Sequence, residues 1–398
     1  MKSWMMTTIG EVCTVVPGQS PESQHYNTEG EGVPFYQGKK EFGAKYLGPP
    51  KIWTRVTARE ARAGDILMSV RAPVGPINVA NEQICIGRGL AAIRPSSVLD
   101  GDFLYYALLA KTDEISGSEG AVFASINKNQ IEAIEVPLPV ITEQKRIVTI
   151  LDEVFAGIDA AVANVERNLA NARDLFDSYL NSIFCRISAG WLQTTVGEHI
   201  TFIDYRGRTP TKTESGLRLI TAKNVKMGSL QVHPKEFVDP AIYEKWMTRG
   251  IPQVSDVLFT TEAPLANVAQ LDTDERVVFA QRVIIMQPDR KVLDPNFLKF
   301  MLMSRVIQGR IHGEATGATA KGIKASRLKQ VPISFPPTLS DQHAIVETLR
   351  SVEAESCRLE GTYRSKLTAL AELKQSILQK AFAGELTAKD AETERAAA

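Results

Sequence analysis

The stretch DYRGRTPTK, Asp204 to Lys212, holds two arginines around a glycine. An arginine guanidinium is a planar fork of donors that fits the O6/N7 edge of guanine or a phosphate. Gly207 lets a backbone approach closely between Arg206 and Arg208. A related word, GQSP, stands at Gly18 to Pro21. Its glutamine belongs to the amide side chains that match an adenine edge, whereas lysine mainly meets phosphate. By this chemistry the first part of the chain offers Gln19, Ser20, Gln37, Lys39, Lys40, Arg71, Arg88, Asn127 and Lys128 as candidate nucleic-acid contacts. The second part offers Arg206, Arg208, Thr209, Lys223, Asn224, Arg282, Lys321 and Lys324. A solvated charged loop is the competing reading of each. Arg71 and Arg88 could equally be paired with an acidic side chain.

Other chemistry lacks its residues. Cys13, Cys85, Cys185 and Cys357 stand far apart with no CxxC pair, so buried reduced thiols are expected rather than a zinc site or disulfides. The five histidines are scattered and no metal site is expected. Transfer of a methyl group to a base nitrogen would need an acid or Asn before Pro-Pro-aromatic. The Pro-Pro pairs, Pro49-Pro50 and Pro336-Pro337, do not fit. There is no GxxxxGK[ST] phosphate loop, no HExxH and no GxSxG, and GEATGATAKG (Gly313 to Gly322) has its glycines misplaced. Pro288-Asp289 lacks the following acid-x-Lys of a common nuclease site. An active site assembled from distant residues is the remaining enzymatic alternative.

Net charge is zero, with 46 basic and 46 acidic side chains, but the charge is unevenly spread. Residues 1–140 carry 13 basic and 15 acidic side chains, and residues 191–340 carry 20 and 14. If the chain binds nucleic acid, its first part must rely on local basic loops or on a partner's charge.

The elements that must position these residues occur twice. VPLPVITEQKRIVTILDEV begins at Val136 and ISFPPTLSDQHAIVETLRSV at Ile333. Laid without a gap, 143–184 on 341–382 matches Gln144 with Gln342, Ile147 with Ile345, Leu151 with Leu349, Leu175 with Leu373 and Phe184 with Phe382. Upstream, GDILMSVRAP matches SDVLFTTEAP, ICIGRGLAAIRP matches VVFAQRVIIMQP, and LDGDFLYYALL matches LDPNFLKFMLM. ILMSV, VVFA and RVIIM read as strands, and FLYYALLA and FLKFMLMS as short buried helices.

Two long helices follow. The first has its apolar stripe at Ile147, Leu151, Val154, Ile158, Val162, Val165, Leu169, Phe176, Leu180 and Ile183. The second has Ile345, Leu349, Val352, Leu359, Tyr363, Leu367, Leu370, Leu373 and Ile377. Each could run on the order of 40 residues, roughly 60 Å. A stripe that long needs a second helix, and the natural candidate is its own copy. Thr142 and Ser340 are the expected N-caps. The first helix has Phe155-Ala156-Gly157 where its copy has Glu353-Ala354-Glu355, so the pairing need not be symmetric.

The fold class is therefore α+β: two α+β domains, each followed by a long helix that pairs with its copy, in a tandem repeat. The boundaries are 1–140 for the first domain, 141–188 for the first helix, 189–338 for the second domain, 339–388 for the second helix, and 389–398 for a flexible tail. No apolar run would span a bilayer, and MKSWMMTTIGEV lacks the apolar core of a signal peptide, so no membrane contact and a cytoplasmic location are expected.

Globular domain, proline turn and [ED]-Q-x-x-I-V helix, used twice, resemble the specificity (S) subunits of type I restriction-modification systems. GQSP/GRTP, GDILMSVRAPVG, CIGRG and PLPVITEQKRIV are the phrases that carry the likeness, which spans essentially the whole chain. The resemblance implies two target recognition domains separated by two long antiparallel coiled-coil helices with pseudo-two-fold symmetry, each domain reading half of a bipartite site in double-stranded DNA and the helices setting the spacing. It implies docking of two methyltransferase (M) subunits, with two motor-nuclease (R) subunits as an optional addition. Arg146, Phe155, Phe176 and Tyr179, beside the helix seam, are the candidates to face the M subunits. The chain would be non-catalytic and without cofactors. S-adenosylmethionine, ATP and Mg would belong to partner subunits, which methylate adenine N6 or cut DNA. The competing reading is a protein-binding tandem-repeat scaffold that does not touch DNA.

Overall fold

Residues 4–116, 125–185, 190–205, 209–317 and 321–386 are described by the structure, a computed structural model. The chain forms two compact units: Met1–Glu166 with Ser365–Ala398, and Arg167–Arg364. Each unit holds one globular lobe and a section of both long helices, so the units divide within the helices and not at their ends.

The two lobes share one plan. In unit 1 an antiparallel sheet has the order Cys13–Pro17, Leu90–Pro95, Ile66–Ser69, Ile77–Val79. In unit 2 the matching order is Ile200–Asp204, Val283–Pro288, Val257–Thr261, Leu265–Gln270. A second, mixed sheet in each lobe contains one parallel pair. Val33–Tyr36 lies beside Ile84–Ile86 in unit 1, and Leu217–Ile220 beside Val277–Phe279 in unit 2. A two-stranded ribbon closes each lobe at its helix, Met6–Thr8 with Glu135–Pro137 and Leu192–Thr195 with Pro332–Phe335.

The central strands are buried on both faces, which explains why they read as unbroken apolar runs. Ile66 and Met68 point into a core shared with Phe103 and the first long helix, while Leu67 points into a second core with Ile84 and Ile86. In unit 2, Val257 and Phe259 face Phe297 and the helices, and Leu258 faces Leu219 and Val278. Full burial of each such side chain stabilises by about 1.5–3 kcal/mol.

Both long helices are 44 residues, Ile141–Phe184 and Leu339–Phe382, about 66 Å each. Within unit 1 the start of the first helix meets the end of the second: Lys374 Nζ is 3.0 Å from Asp159 Oδ1 and lies 4.8 Å from the Phe155 ring centre. Within unit 2, Arg173 Nε reaches Glu360 at 3.2 Å, and Ser356 Oγ donates to the Ala172 carbonyl. Toward the far end of the first helix, Leu180 shares a core with Val346 and Leu349 near the start of the second, while in unit 1 Ile147 to Ile158 share one with Leu378 and Ala381 near its end, so the pairing is antiparallel in each unit. The stripe is not a helix-on-helix seam alone. Ile147, Leu151 and Ile158 pack into the core of lobe 1, and Leu180 and Phe184 into that of lobe 2. Leu373 departs from the expected stripe and is 47% exposed, as its match Leu175 is at 43%.

The helix starts also differ from expectation. Thr142 and Ser340 lie inside the helices. Thr338 is the cap of the second helix, with Oγ1 accepting from the Asp341 N–H at 3.2 Å and donating to its carboxylate at 2.6 Å. Val140 occupies the same place before the first helix, where its carbonyl accepts from the Glu143 and Gln144 N–H groups.

The glutamine repeated in both helix starts is a buried lock. Gln144 and Gln342 are fully buried. Gln144 Nε2 donates to the Val98 and Pro139 carbonyls at 3.0 and 2.8 Å, and its Oε1 accepts from the Asp100 N–H at 2.7 Å. Gln342 repeats this with Val292, Pro336 and Asp294 at 2.9, 2.8 and 2.8 Å. Asp100 and Asp294 in turn cap the short helices Gly101–Ala110 and Pro295–Met303. One amide therefore ties the end of a lobe to the start of the helix that follows it.

The asymmetry at Phe155 has a structural counterpart. Phe155 is 5% exposed and meets Tyr106 edge-on at 5.5 Å, while the matching Glu353 sits 3.7 Å from Lys299. One lobe fills this position with aromatic packing and the other with an ion pair. Tyr106 donates to Asp152, and burial pushes its phenol far above the ordinary range. Lys45 lies 3.0 and 3.4 Å from Asp102 and Asp152. Burial works against its charge, but the hydrogen bond and charge of Asp102, with Asp152, outweigh it and raise its pKa. Phe155 is thus a core residue and not a partner surface.

Candidate nucleic-acid interface

In unit 1 the candidate residues converge where five backbone segments cross. The Gly18 N–H donates to the Leu90 carbonyl, Gln19 N–H to Ile86, Gly87 N–H to Tyr36 and Gly89 N–H to Gln37, all at 2.9–3.1 Å. The Val70 N–H donates to Gly89 at 2.9 Å, the Ile126 N–H donates to Val70 at 3.0 Å, and Arg71 pairs with Ser125. The glycines make this crossing possible. A Cβ on Gly18 would sit 2.2 Å from the Gly87 oxygen, and one on Gly89 would sit 2.6 Å from the Gln37 oxygen. The motifs GQSP and CIGRG are therefore steric requirements of the crossing.

Side chains cluster on the outer side of this crossing. Ser20 Oγ donates to Gln37 Oε1 at 2.9 Å and accepts from the Arg88 N–H at 3.4 Å. Gln19, Gln37, Arg71 and Arg88 are exposed, and Lys39 and Lys40 are exposed in the turn just after Gln37. No acidic side chain within ion-pair distance of Arg71 or Arg88 is found among the described residues. Asn127 and Lys128 lie beyond Ile126, next to the Arg71 loop, and have structural duties. Asn127 caps the helix Lys128–Glu132 in a reciprocal box with Gln130, and Lys128 is 3.4 Å from Glu132.

Unit 2 repeats the crossing with different side chains. The Ala280 N–H donates to Ile220, Thr261 N–H to Arg282 and Ile323 N–H to Thr261, all at 2.9–3.0 Å, and Glu262 pairs with Gly322. Arg282 stands where unit 1 has Gly89, and Glu262 where unit 1 has Arg71. Arg282 Nε lies 2.8 Å from Glu262 Oε1. Lys321 and Lys324 are exposed on the adjoining segment, and Lys324 occupies the N-cap place that Asn127 holds in unit 1. Lys223 is exposed just after the strand Leu217–Ile220, the place of Lys39 in unit 1. Thr209 is exposed, while Arg206 and Arg208 lie outside the described residues, as does the tail 389–398.

Asn224 is a correction. It is fully buried and its amide is spent on the fold: Oδ1 accepts from the Thr221 N–H and hydroxyl at 3.0 Å, and Nδ2 donates to Gln231 and Pro234. It shapes the turn that presents Lys223 and has no group left to read a base. Of the helix candidates, Phe176 is half-buried and packs edge-on against Phe300 at 6.0 Å. It belongs to the rim of lobe 2's core. Arg146 is half-buried, and Tyr179 is 36% exposed. Glu262 was not singled out from the sequence, although the match of SDVLFTTEAP on GDILMSVRAP sets it opposite Arg71.

Among the described residues no cluster of His, Cys, Asp or Glu could hold a metal ion, and no helix is long and apolar enough to cross a membrane. The site consists of donors on loops, carried by a rigid sheet, in two versions.

Comparison with known proteins agrees. The chain belongs to the type I restriction modification DNA specificity domain family, whose profile matches residues 1–165 and 249–369. It is 43% identical over 152 residues to a putative type I restriction enzyme MjaX specificity subunit of Methanocaldococcus jannaschii, a match covering 37% of this chain and 35% of that protein's length. It is 22% identical to the type I restriction enzyme EcoBI specificity subunit of Escherichia coli over 97% of this chain and 87% of that one. In three dimensions it is similar to a chain from a solved structure concerned with complex assembly and conformational transition of the type I R-M system. The TM-score is 0.78, with 19% identity and coverage of 97% and 99%. An HsdS subunit from Thermoanaerobacter tengcongensis aligns with a TM-score of 0.58, 19% identity and coverage of 97% and 98%. These two likenesses establish the fold.

Proposed function

We propose that this chain is the sequence-reading adaptor of a type I restriction-modification complex. Each lobe, 1–140 and 189–338, reads one half of a bipartite site in double-stranded DNA. The helices, 141–188 and 339–388, set the spacing and dock two M subunits, with R subunits as an optional addition. The observation that carries this reading is the loop crossing built twice on one backbone plan with unlike side chains. Two unlike readers suit a split site whose halves differ. The surface candidates are Gln19, Ser20, Gln37, Lys39, Lys40, Arg71 and Arg88 in the first lobe, and Thr209, Lys223, Arg282, Lys321 and Lys324 in the second. Tyr179 and Arg146 are the docking candidates. Adenine methylation and ATP-driven cleavage, with their S-adenosylmethionine, ATP and Mg, belong to partner subunits in the cytoplasm.

The test is methylome sequencing of cells with and without this gene, paired with DNA binding by the chain plus M subunits across a salt series. A bipartite methylation motif that disappears with the gene, and binding that weakens steeply with salt, are expected. Binding indifferent to salt and sequence would favour a protein-only scaffold. Four residues inserted in phase in both long helices should keep both half-sites and widen the gap by about two base pairs, given roughly 6 Å of added helix.

A further inference from the structure

Arg282 sits in an unusual backbone state. Its φ is +77°, in the left-handed region that non-glycine residues rarely occupy, and unit 1 has Gly89 at this place. Ala263 and Ala266, with φ of +44° and +65°, belong to the turn that follows Thr261, whose N–H is bonded to the Arg282 carbonyl. Three strained residues thus gather at one loop crossing. Strain of this kind persists where the surroundings force it, and it gathers at functional sites. A glycine at 282 would remove it, yet an arginine is held there, whereas Gly89 at the matching place in unit 1 is outside the left-handed region.

The ion pair points the same way. Arg282 and Glu262 are 46% and 44% exposed, and a pair this open adds little to stability. What it fixes is direction. Glu262 engages the Nε edge of the guanidinium and leaves both terminal amino groups without a partner among the described residues. Two terminal amino groups on a half-exposed guanidinium match the O6 and N7 acceptors of guanine. A carboxylate beside them repels phosphate, so the pair suits a base edge better than the DNA backbone. Exposed Lys321 and Lys324 flank Gly322 and Ile323, which are bonded to this crossing, and they are placed for phosphate.

We propose that Arg282 reads a guanine in the half-site of unit 2, and that Glu262 is the positioning residue that aims it. This rests on the chain being a DNA reader.

The test is selection from a library of randomised bipartite duplexes by the full chain bound to M subunits. Wild type, R282Q, R282G, E262Q and R71Q would be compared. R282Q and R282G should lose discrimination at one G·C pair of a single half-site, on the order of 10- to 100-fold, with other positions unchanged. R282G relieves the backbone and should keep or raise the thermal midpoint, which separates lost reading from lost folding. E262Q should still select guanine but with weaker discrimination, and E262Q combined with R282Q should match R282Q alone. R71Q should leave that position untouched. Unchanged base preferences in R282Q, or equal weakening on every sequence, would overturn the assignment. Full discrimination in E262Q would overturn the positioning role. A wild-type complex with no sequence preference would instead sink the DNA-reading function itself.

Discussion

Replacing Gln342 by alanine should loosen unit 2 at the point where its lobe meets its helix. The side chain is fully buried and makes three hydrogen bonds, two as donor to the Val292 and Pro336 carbonyls and one as acceptor from the Asp294 N–H. At about 1 kcal/mol net per bond the loss is about 3 kcal/mol, and the void left by the truncated stem adds up to about 1 kcal/mol. Because Asp294 also caps Pro295–Met303, the damage should extend into that helix. A chain with two units need not unfold in one step, so a single melting temperature is a poor readout. Hydrogen exchange on segments 292–297 and 339–346, with 98–103 and 141–147 as the internal control, is a better one. Q342A should speed exchange in the first pair of segments by about 100-fold, since about 1.4 kcal/mol corresponds to tenfold. Q144A should do the same to the second pair. Q342L keeps the volume but leaves the same groups unpaired, and should be no better than alanine. An effect below about fivefold in Q342A, or a Q342L protein as protected as wild type, would refute the idea that this amide locks lobe to helix.

F155A should destabilise unit 1 by about 3–4 kcal/mol because it empties a packed position beside Tyr106. Y179A should leave stability within about 0.5 kcal/mol and weaken M-subunit binding in a pull-down titration. In the native protein at neutral pH, a maleimide should label Cys185 and Cys357, which are exposed, and spare Cys85 and Cys13 until denaturant is added. Burial pushes the Cys13 thiol up to about 12 from an ordinary 9.0. The stability it contributes is therefore present below pH 9 and is lost as pH rises toward 12, so the midpoint in alkaline melts should fall less steeply in C13A than in wild type, the remaining fall coming from buried phenols such as Tyr36 and Tyr106.

The repeat, the two helices and the strand runs were legible in the sequence because their signals are local and periodic. Steps of three and four fix a helix, and a β-branched run between Gly and Pro breaks fixes a strand. The [ED]-Q-x-x-I-V phrase marked the helix starts, but its reason was invisible: the partners of Gln144 are Val98, Pro139 and Asp100, brought to it only by the fold. Cap position was misplaced for a similar reason. Thr338 and Thr142 are both good cap residues, and the turn geometry before each helix decided which one is used.

The candidate site divides along the same line. Residue type and glycine-rich context singled out Ser20, Gln37, Arg71, Arg88 and Arg282, and the backbone crossings gather the first four in one lobe and place Arg282 at the matching crossing of the other. Type alone also chose Asn224 and Phe155, which are buried, because side-chain direction depends on packing that a linear pattern does not record. The sequence by itself determined that one architecture is used twice, since apolar period and turn residues are properties of neighbours along the chain. Only the tertiary structure decided that Arg282 faces Glu262, because segments 20 or more residues apart meet there through hydrogen bonds and close backbone approach.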